Sequence, residues 1–131
     1  MSVTVQLLPG ESILIATMTG EVNREKALEV FHLTNELIAD IEGPIIRITD
    51  VSEATSSFAD MINVLNASGR SKEGSTSDPR IQVILVGTSS WLRFFRDAMA
   101  SAHQGSRNIP AFDNLEDALL AARNELQKLS A

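Results

Sequence analysis

Apolar and polar residues alternate at the start of the chain, with Val3, Val5 and Leu7 set against Thr4 and Gln6. A period of two is that of a half-buried strand. Pro9-Gly10 marks a turn. Ile13, Ile15 and Met18 fall in a second β-prone run that ends at Gly20, so the pattern predicts an opening hairpin. The period then changes. Ala27, Val30, Phe31, Thr34, Leu37, Ile38 and Ile41 recur at spacings of three and four, the stripe of an amphipathic helix. Asn23 is placed to cap this helix through its side-chain oxygen, and Gly43-Pro44 to stop it.

Strand and helix patterns alternate from there. Ile45-Ile46-Arg47-Ile48-Thr49 is a short β-prone run that ends in Asp50, with the hydroxyl-rich stretch Val51-Ser52-Glu53-Ala54-Thr55-Ser56-Ser57 after it. Ser57-Phe58-Ala59-Asp60 carries an acid three residues after a hydroxyl, a capping-box variant, and opens a helix with Met61, Ile62 and Leu65 on its apolar face. The polar stretch Gly69 to Pro79 contains two glycines and several serines and is expected to be a mobile loop. Ile81-Gln82-Val83-Ile84-Leu85-Val86 is nearly all apolar, as in a strand covered on both faces. Gly87-Thr88-Ser89-Ser90 turns, with Ser90 as cap, into a helix bearing Trp91, Leu92, Phe94, Phe95 and Met99. Ile109-Pro110-Ala111-Phe112 reads as a short last strand whose proline suits an edge. Asp113 is expected to cap the final helix, with Glu116 three residues on and a stripe of Leu115, Ala118, Leu119, Ala122 and Leu126. The predicted order is ββαβαβαβα. Repeated strand–helix–strand units imply parallel strands joined by right-handed crossovers. The expected architecture is α/β: a mixed sheet, mostly parallel after an N-terminal hairpin, in a single domain spanning residues 1–131.

Composition narrows the setting. A chain of 131 residues buries roughly two-thirds of its unfolded surface, enough for a core without staples. It has no cysteine, which fits a reducing compartment. The first ten residues show no basic start followed by an apolar run, so no secretory signal is expected. No apolar run approaches the ~20 residues that span a bilayer. The net charge of −6 argues against nucleic acid or an anionic membrane surface as partner. These features together predict a cytoplasmic location.

Four stretches carry a resemblance: Ile45–Asp50 with the serines after it, the strand Ile81–Val86, the helix around Trp91-Leu92-Arg93-Phe94-Phe95, and the closing Phe112-Asp113-Asn114-Leu115-Glu116-Asp117-Ala118. With the element order, they resemble the STAS fold of anti-sigma-factor antagonists, and more closely the bacterial STAS-like, SpoIIAA-like proteins. In the antagonists, a serine in an Asp-Ser-Ser-Gly turn after the third strand is phosphorylated by a partner kinase, and the phosphate blocks binding to that kinase. That turn falls here on Thr55-Ser56-Ser57-Phe58. The serine pair is retained, and Thr55 and Phe58 stand where the acid and the glycine would be. The resemblance implies a non-enzymatic binding or regulatory module.

The residues themselves offer few other leads. Ser56 and Ser57 suit helix capping and phosphorylation alike, because both exploit the free amides and dipole of a helix N-terminus. Asp50 sits where a receiver domain has its phosphoacceptor, but no acid pair ends the first strands to hold a divalent cation, so a turn-stabilising role is expected. Gly87-Thr88-Ser89-Ser90 has neither a GxGxxG nor a Walker lysine. His32 and His103 lack partners at metal-ligand spacing, and no nucleophile elbow is present. His32 is expected to be partly buried at the edge of the first helical stripe. No catalytic residue, metal or cofactor is expected. Trp91, Phe94 and Phe95 cover more than one face of their helix, so some belong to the core and the rest to an apolar pocket or an interface.

Two functions follow as expectations. The first is a regulatory protein-interaction module that uses Asp50, Thr55, Ser56 and Ser57, with an unidentified protein partner and a plausible homodimer. The alternative is a carrier or sensor of a small apolar, amphipathic or lipid-like ligand held near Trp91, Phe94 and Phe95.

Overall fold

The computed structural model describes residues 2–70, 73–101 and 108–129. Its elements run β1 (Ser2–Leu7), β2 (Ile13–Glu21), α1 (Arg24–Ile38), β3 (Ile45–Asp50), β4 (Ala54–Thr55), α2 (Phe58–Arg70), β5 (Ile81–Val86), α3 (Ser90–Met99), β6 (Ala111–Phe112) and α4 (Leu115–Leu129). The strand order is β1-β2-β3-β5-β6, with β4 paired to β2. Among the described residues only β1 and β2 pair antiparallel; the other pairings are parallel. The α/β class, the opening hairpin and the four helices are as expected. The difference in order is β4. After β3 leaves β2 at Asp50, the chain turns through Val51–Glu53 and rejoins β2 further along, opposite Gly20 and Glu21.

Pleat parity assigns the side chains to two layers. Leu14, Ala16 and Met18 of β2, Ile45 of β3, and Ile81, Val83 and Leu85 of β5 pack in one core with α1, α2 and α3. Ile13, Ile46, Ile48, Ile84 and Val86 point to the other face, where Ala118 and Ala122 of α4 cover them. The helix α4 is also clamped at the hairpin end. Arg123 donates from Nε and Nη2 to Glu11 at 2.8 and 3.2 Å, a two-point contact that lowers the Glu11 pKa.

Several local expectations are corrected. The described part of the stretch after α2, Glu73–Pro79, packs into the fold where a mobile loop was expected. Gly69 and Arg70 belong to α2, and within Glu73–Pro79 the residues Gly74, Ser75, Thr76 and Asp78 are buried. Glycine at 74 is required on two counts. Its φ is +76°, and an added Cβ would lie 2.1 Å from the Phe31 carbonyl oxygen. Ser71 and Lys72 of that stretch lie outside the described residues. The cap of α4 is Asn114, whose Oδ1 accepts from Asp117 N at 2.8 Å, and not Asp113; helix starts at Leu115, one residue later than Asp113 could serve. At α3 the N-cap is Ser89, with no side-chain cap bond, rather than Ser90, which is already helical. The last strand is Ala111–Phe112 only, since Pro110 has no N–H to extend the pairing. The first helix ends at Ile38, well before Gly43-Pro44. At its other end Asn23 caps as expected, accepting from Lys26 N at 3.0 Å.

Candidate functional site

The carboxyl ends of β3 and β5 lie side by side, with Val51 N bonded to Val86 O at 3.0 Å. Helices α2 and α3 both begin at this end. In parallel α/β sheets this is the rim on which ligands and partners are met.

Asp50 stands at the start of the rim and is engaged locally. Its Oδ1 accepts from Ser52 N at 3.0 Å and from Ser52 Oγ at 2.7 Å, an Asx-turn that directs the chain into β4. Thr55 is exposed on β4, and its carbonyl accepts from Val22 N at 2.7 Å. Ser56 returns the contact, donating from Oγ to Val22 O at 2.8 Å. Val22 is thus held on both sides, which ties the approach to α2 against the β2–α1 junction. Ser57 is exposed and caps α2: its Oγ accepts from Asp60 N at 3.1 Å, the hydroxyl half of the capping box. The two adjacent serines therefore differ. Ser56 is half-buried and holds a backbone carbonyl, whereas Ser57 sits in solvent at the positive end of a helix dipole.

Phe58 follows directly and is 68% exposed. Its ring centre is 5.1 Å from that of Phe94 on α3, tilted by 50°. Ile62, one turn along α2, is also exposed. Phe94 therefore belongs to a surface pair. Trp91, Leu92 and Phe95 instead line a cavity of about 50 Å³ between α1–α3 and the sheet. That is about a third of the ~150 Å³ apolar cavity that accepts a benzene ring. His32 is exposed, not partly buried: its Nε2 lies 2.6 Å from Glu36 Oε1, a carboxylate one turn away that the sequence reading passed over. His103 lies outside the described residues. Among the described residues no group of three or more metal-ligating side chains converges, and no helix is long and apolar enough to cross a membrane.

Arg47 was missed as a structural centre. It is 1% exposed on the middle strand β3. Its Nη1 donates to Thr34 Oγ1 of α1 at 3.2 Å and to the Gly74 carbonyl, and its guanidinium lies 5.4 Å from the Phe31 ring centre. The loop that supplies Gly74 is held from its other side by Asp78. That carboxylate accepts from Gly74 N at 2.8 Å, Arg80 N at 2.9 Å and Arg80 Nη2 at 2.7 Å. Burial alone would push the Asp78 carboxyl up, but these donors outweigh it and hold its pKa at about 2. The signal for Arg47 lay in parity. It stands two residues from Ile45, with Ile46 and Ile48 on either side, in a strand with no polar face.

No protein-family model matches the chain, and no curated protein matches it. Solved structures do. An uncharacterised DUF3478-family protein with a SpoIIAA-like fold from Shewanella loihica superposes with a TM-score of 0.59 at 15% identity, over 92% of each chain. The anti-sigma factor antagonist SpoIIAA in its unphosphorylated form gives 0.58 at 9% identity, over 92% of this chain and 96% of that one. An anti-sigma factor antagonist from Mycobacterium paratuberculosis gives 0.52 at 17% identity, over 93% and 95%. The fold is therefore SpoIIAA-like, as the sequence resemblance implied.

Proposed function

We propose that this chain is a non-enzymatic, cytoplasmic regulatory module that docks a protein partner at the N-terminal end of α2. The observation that carries this reading is the pairing of an exposed capping hydroxyl, Ser57, with an exposed aromatic, Phe58, set in a tilted contact with Phe94. Exposed aromatics backed by a rigid scaffold make good anchors for a partner. A phosphate on Ser57 would meet the free amides of α2 and add up to two negative charges beside that anchor. Two of the solved neighbours are anti-sigma factor antagonists, one of them described in an unphosphorylated form, which supports a docking role for this architecture. Ser57 is the better switch candidate of the two serines, because Ser56 is committed to Val22.

The test replaces Ser56 and Ser57 together by aspartate and compares captured cytosolic partners with those of the wild type. A partner retained by the wild type and lost from the variant, and weakened at least tenfold by Ser57→Asp alone when purified, is the expected result. An unchanged partner set from a variant with an intact fold counts against the proposal.

A further inference from the structure

β1 is the outer strand of the sheet, with β2 as its one neighbour among the described residues. Leu8 N donates to Ile13 O at 3.0 Å, so the even-numbered residues of β1 turn their backbone groups to β2. Backbone direction alternates along an antiparallel ladder. Val3, Val5 and Leu7 therefore point their N–H and C=O groups away from β2, to the open edge. Their side chains pack half-buried against the core under α1. Proteins blunt such edges with charge, proline, bulges or short length. The strand at the opposite edge is blunted in this way, because β6 has only two residues and follows Pro110. β1 has none of these devices. It pairs with β2 residue for residue, and Val3 to Leu7 contains neither proline nor charge.

The helix α1 continues this surface, since it packs across β1. Asn35 marks the flank of α1 toward β5, where its Oδ1 accepts from Arg80 Nη2 at 3.3 Å. Leu33 and Leu37 lie two residues to either side of Asn35, about 200° around the helix. They occupy the opposite flank, beside the open edge, and Leu37 is 38% exposed.

We propose that this edge is a self-association surface, on which two copies of the chain pair β1 with β1, antiparallel, about a two-fold axis at Val5. The result is one continuous sheet. Two observations make a second copy the occupant. A molecule of like charge, −6, is accepted only on a face where like charges do not meet, and β1 carries none. The strand is also complementary to itself. With the axis at Val5, that residue faces its own copy and Val3 faces Leu7. The outward residues of both strands then exchange their hydrogen bonds, and only apolar side chains meet on the α1 face. Thr4 faces Gln6 on the other face. The same rotation sets the two α1 helices side by side, where Leu33 and Leu37 of each copy cover those of the other, as an isologous interface requires. This association goes beyond the docking role above and uses neither Ser57 nor Phe58.

The chain has no cysteine, so cross-linking reads the register. Thr4 and Gln6 are exposed, and a non-hydrogen-bonded pair places its Cα atoms about 4.5 Å apart, within disulfide range. An equimolar mixture of Thr4→Cys and Gln6→Cys chains, mildly oxidised, should give covalent dimers with one chain of each kind, well above those of either kind alone. Sedimentation equilibrium of the wild type should show a monomer–dimer equilibrium that Val5→Pro weakens at least tenfold, because this proline removes an N–H that β2 does not use. Leu37→Glu, on the exposed flank, should weaken it about as much, and decides if the proline variant does not fold. A wild type that stays monomeric up to millimolar concentration overturns the proposal. Cross-links in which Thr4→Cys chains join each other as readily overturn it too, as does a dimer that neither variant weakens.

Discussion

Arg47 donates from the middle of the sheet to the carbonyl of Gly74, so a buried cation on β3 holds down the loop between α2 and β5. The same side chain reaches Thr34 on α1 and lies against Phe31. Three parts of the chain far apart in sequence thus meet at one guanidinium. Its planar fork can serve several acceptors at once, which a lysine ammonium on a flexible stem does less well.

Replacement of Arg47 by alanine should therefore be among the most damaging single changes. It leaves a cavity, where large-to-alanine changes in a core cost about 2–5 kcal/mol, and strips the buried Gly74 carbonyl of its donor. Urea unfolding should show a loss of that size, with Arg47→Lys in between. A loss below about 1 kcal/mol for the alanine variant would mean that the loop is held without this contact.

Gly74 and Gly10 form a matched pair for a second test. Their φ angles are +76° and +74°, so alanine is strained equally at both. Only Gly74 has the Phe31 carbonyl in the way; at Gly10 the space is open. The left-handed conformation alone costs about 1–2 kcal/mol. Gly10→Ala should lose about that much by denaturant melts, and Gly74→Ala at least about 2 kcal/mol more. Equal losses would contradict the close approach of the loop to α1.

Asp78 gives the loop a pH dependence. Its folded pKa of about 2 is below the unfolded value of about 3.9, so the folded state favours the ionised carboxylate. The resulting stability is fully present above about pH 4 and is lost as pH falls through 2. It amounts to about 2 kcal/mol, since Asp78 is only 2% exposed. Asp78→Asn should remove it at neutral pH and flatten the acid limb of the stability curve between about pH 4 and 2. An identical acid limb in the variant would show that other carboxylates carry the effect.

These three residues also mark where the sequence was hard to read. The longer strands and the helices were legible because each repeats its period over several residues, and the core followed from that. The loop after α2 was not. Serine, glycine and aspartate look the same in a solvated tether and in a packed plug, and the difference here is set by donors from distant segments, Arg47 on one side and Arg80 with its backbone on the other. The cap of α4 was displaced by one residue because Asp113 and Asn114 are both good capping residues, and only the backbone path chooses between them. At the candidate site, the Ser57 cap was readable from its spacing to Asp60. That Ser56 faces inward to Val22, while Phe58 faces out to Phe94, depends on β4, a two-residue strand too short to leave a periodic trace.

Phe58 separates a binding role from a structural one. At 68% exposure its ring adds little to the core, and the tilted pair with Phe94 is worth roughly 0.5–1.5 kcal/mol. Phe58→Ala should therefore lower stability by no more than about 1.5 kcal/mol and leave the Ser57 cap in place. If the aromatic is a partner anchor, the same change should cost about 2 kcal/mol or more of binding, some thirtyfold in Kd. Calorimetric titration of the captured partner, set beside urea melts of the free variant, measures both quantities. A large stability loss with unchanged affinity would assign Phe58 to the packing of α2 on α3, and would move the partner surface away from this end of the helix.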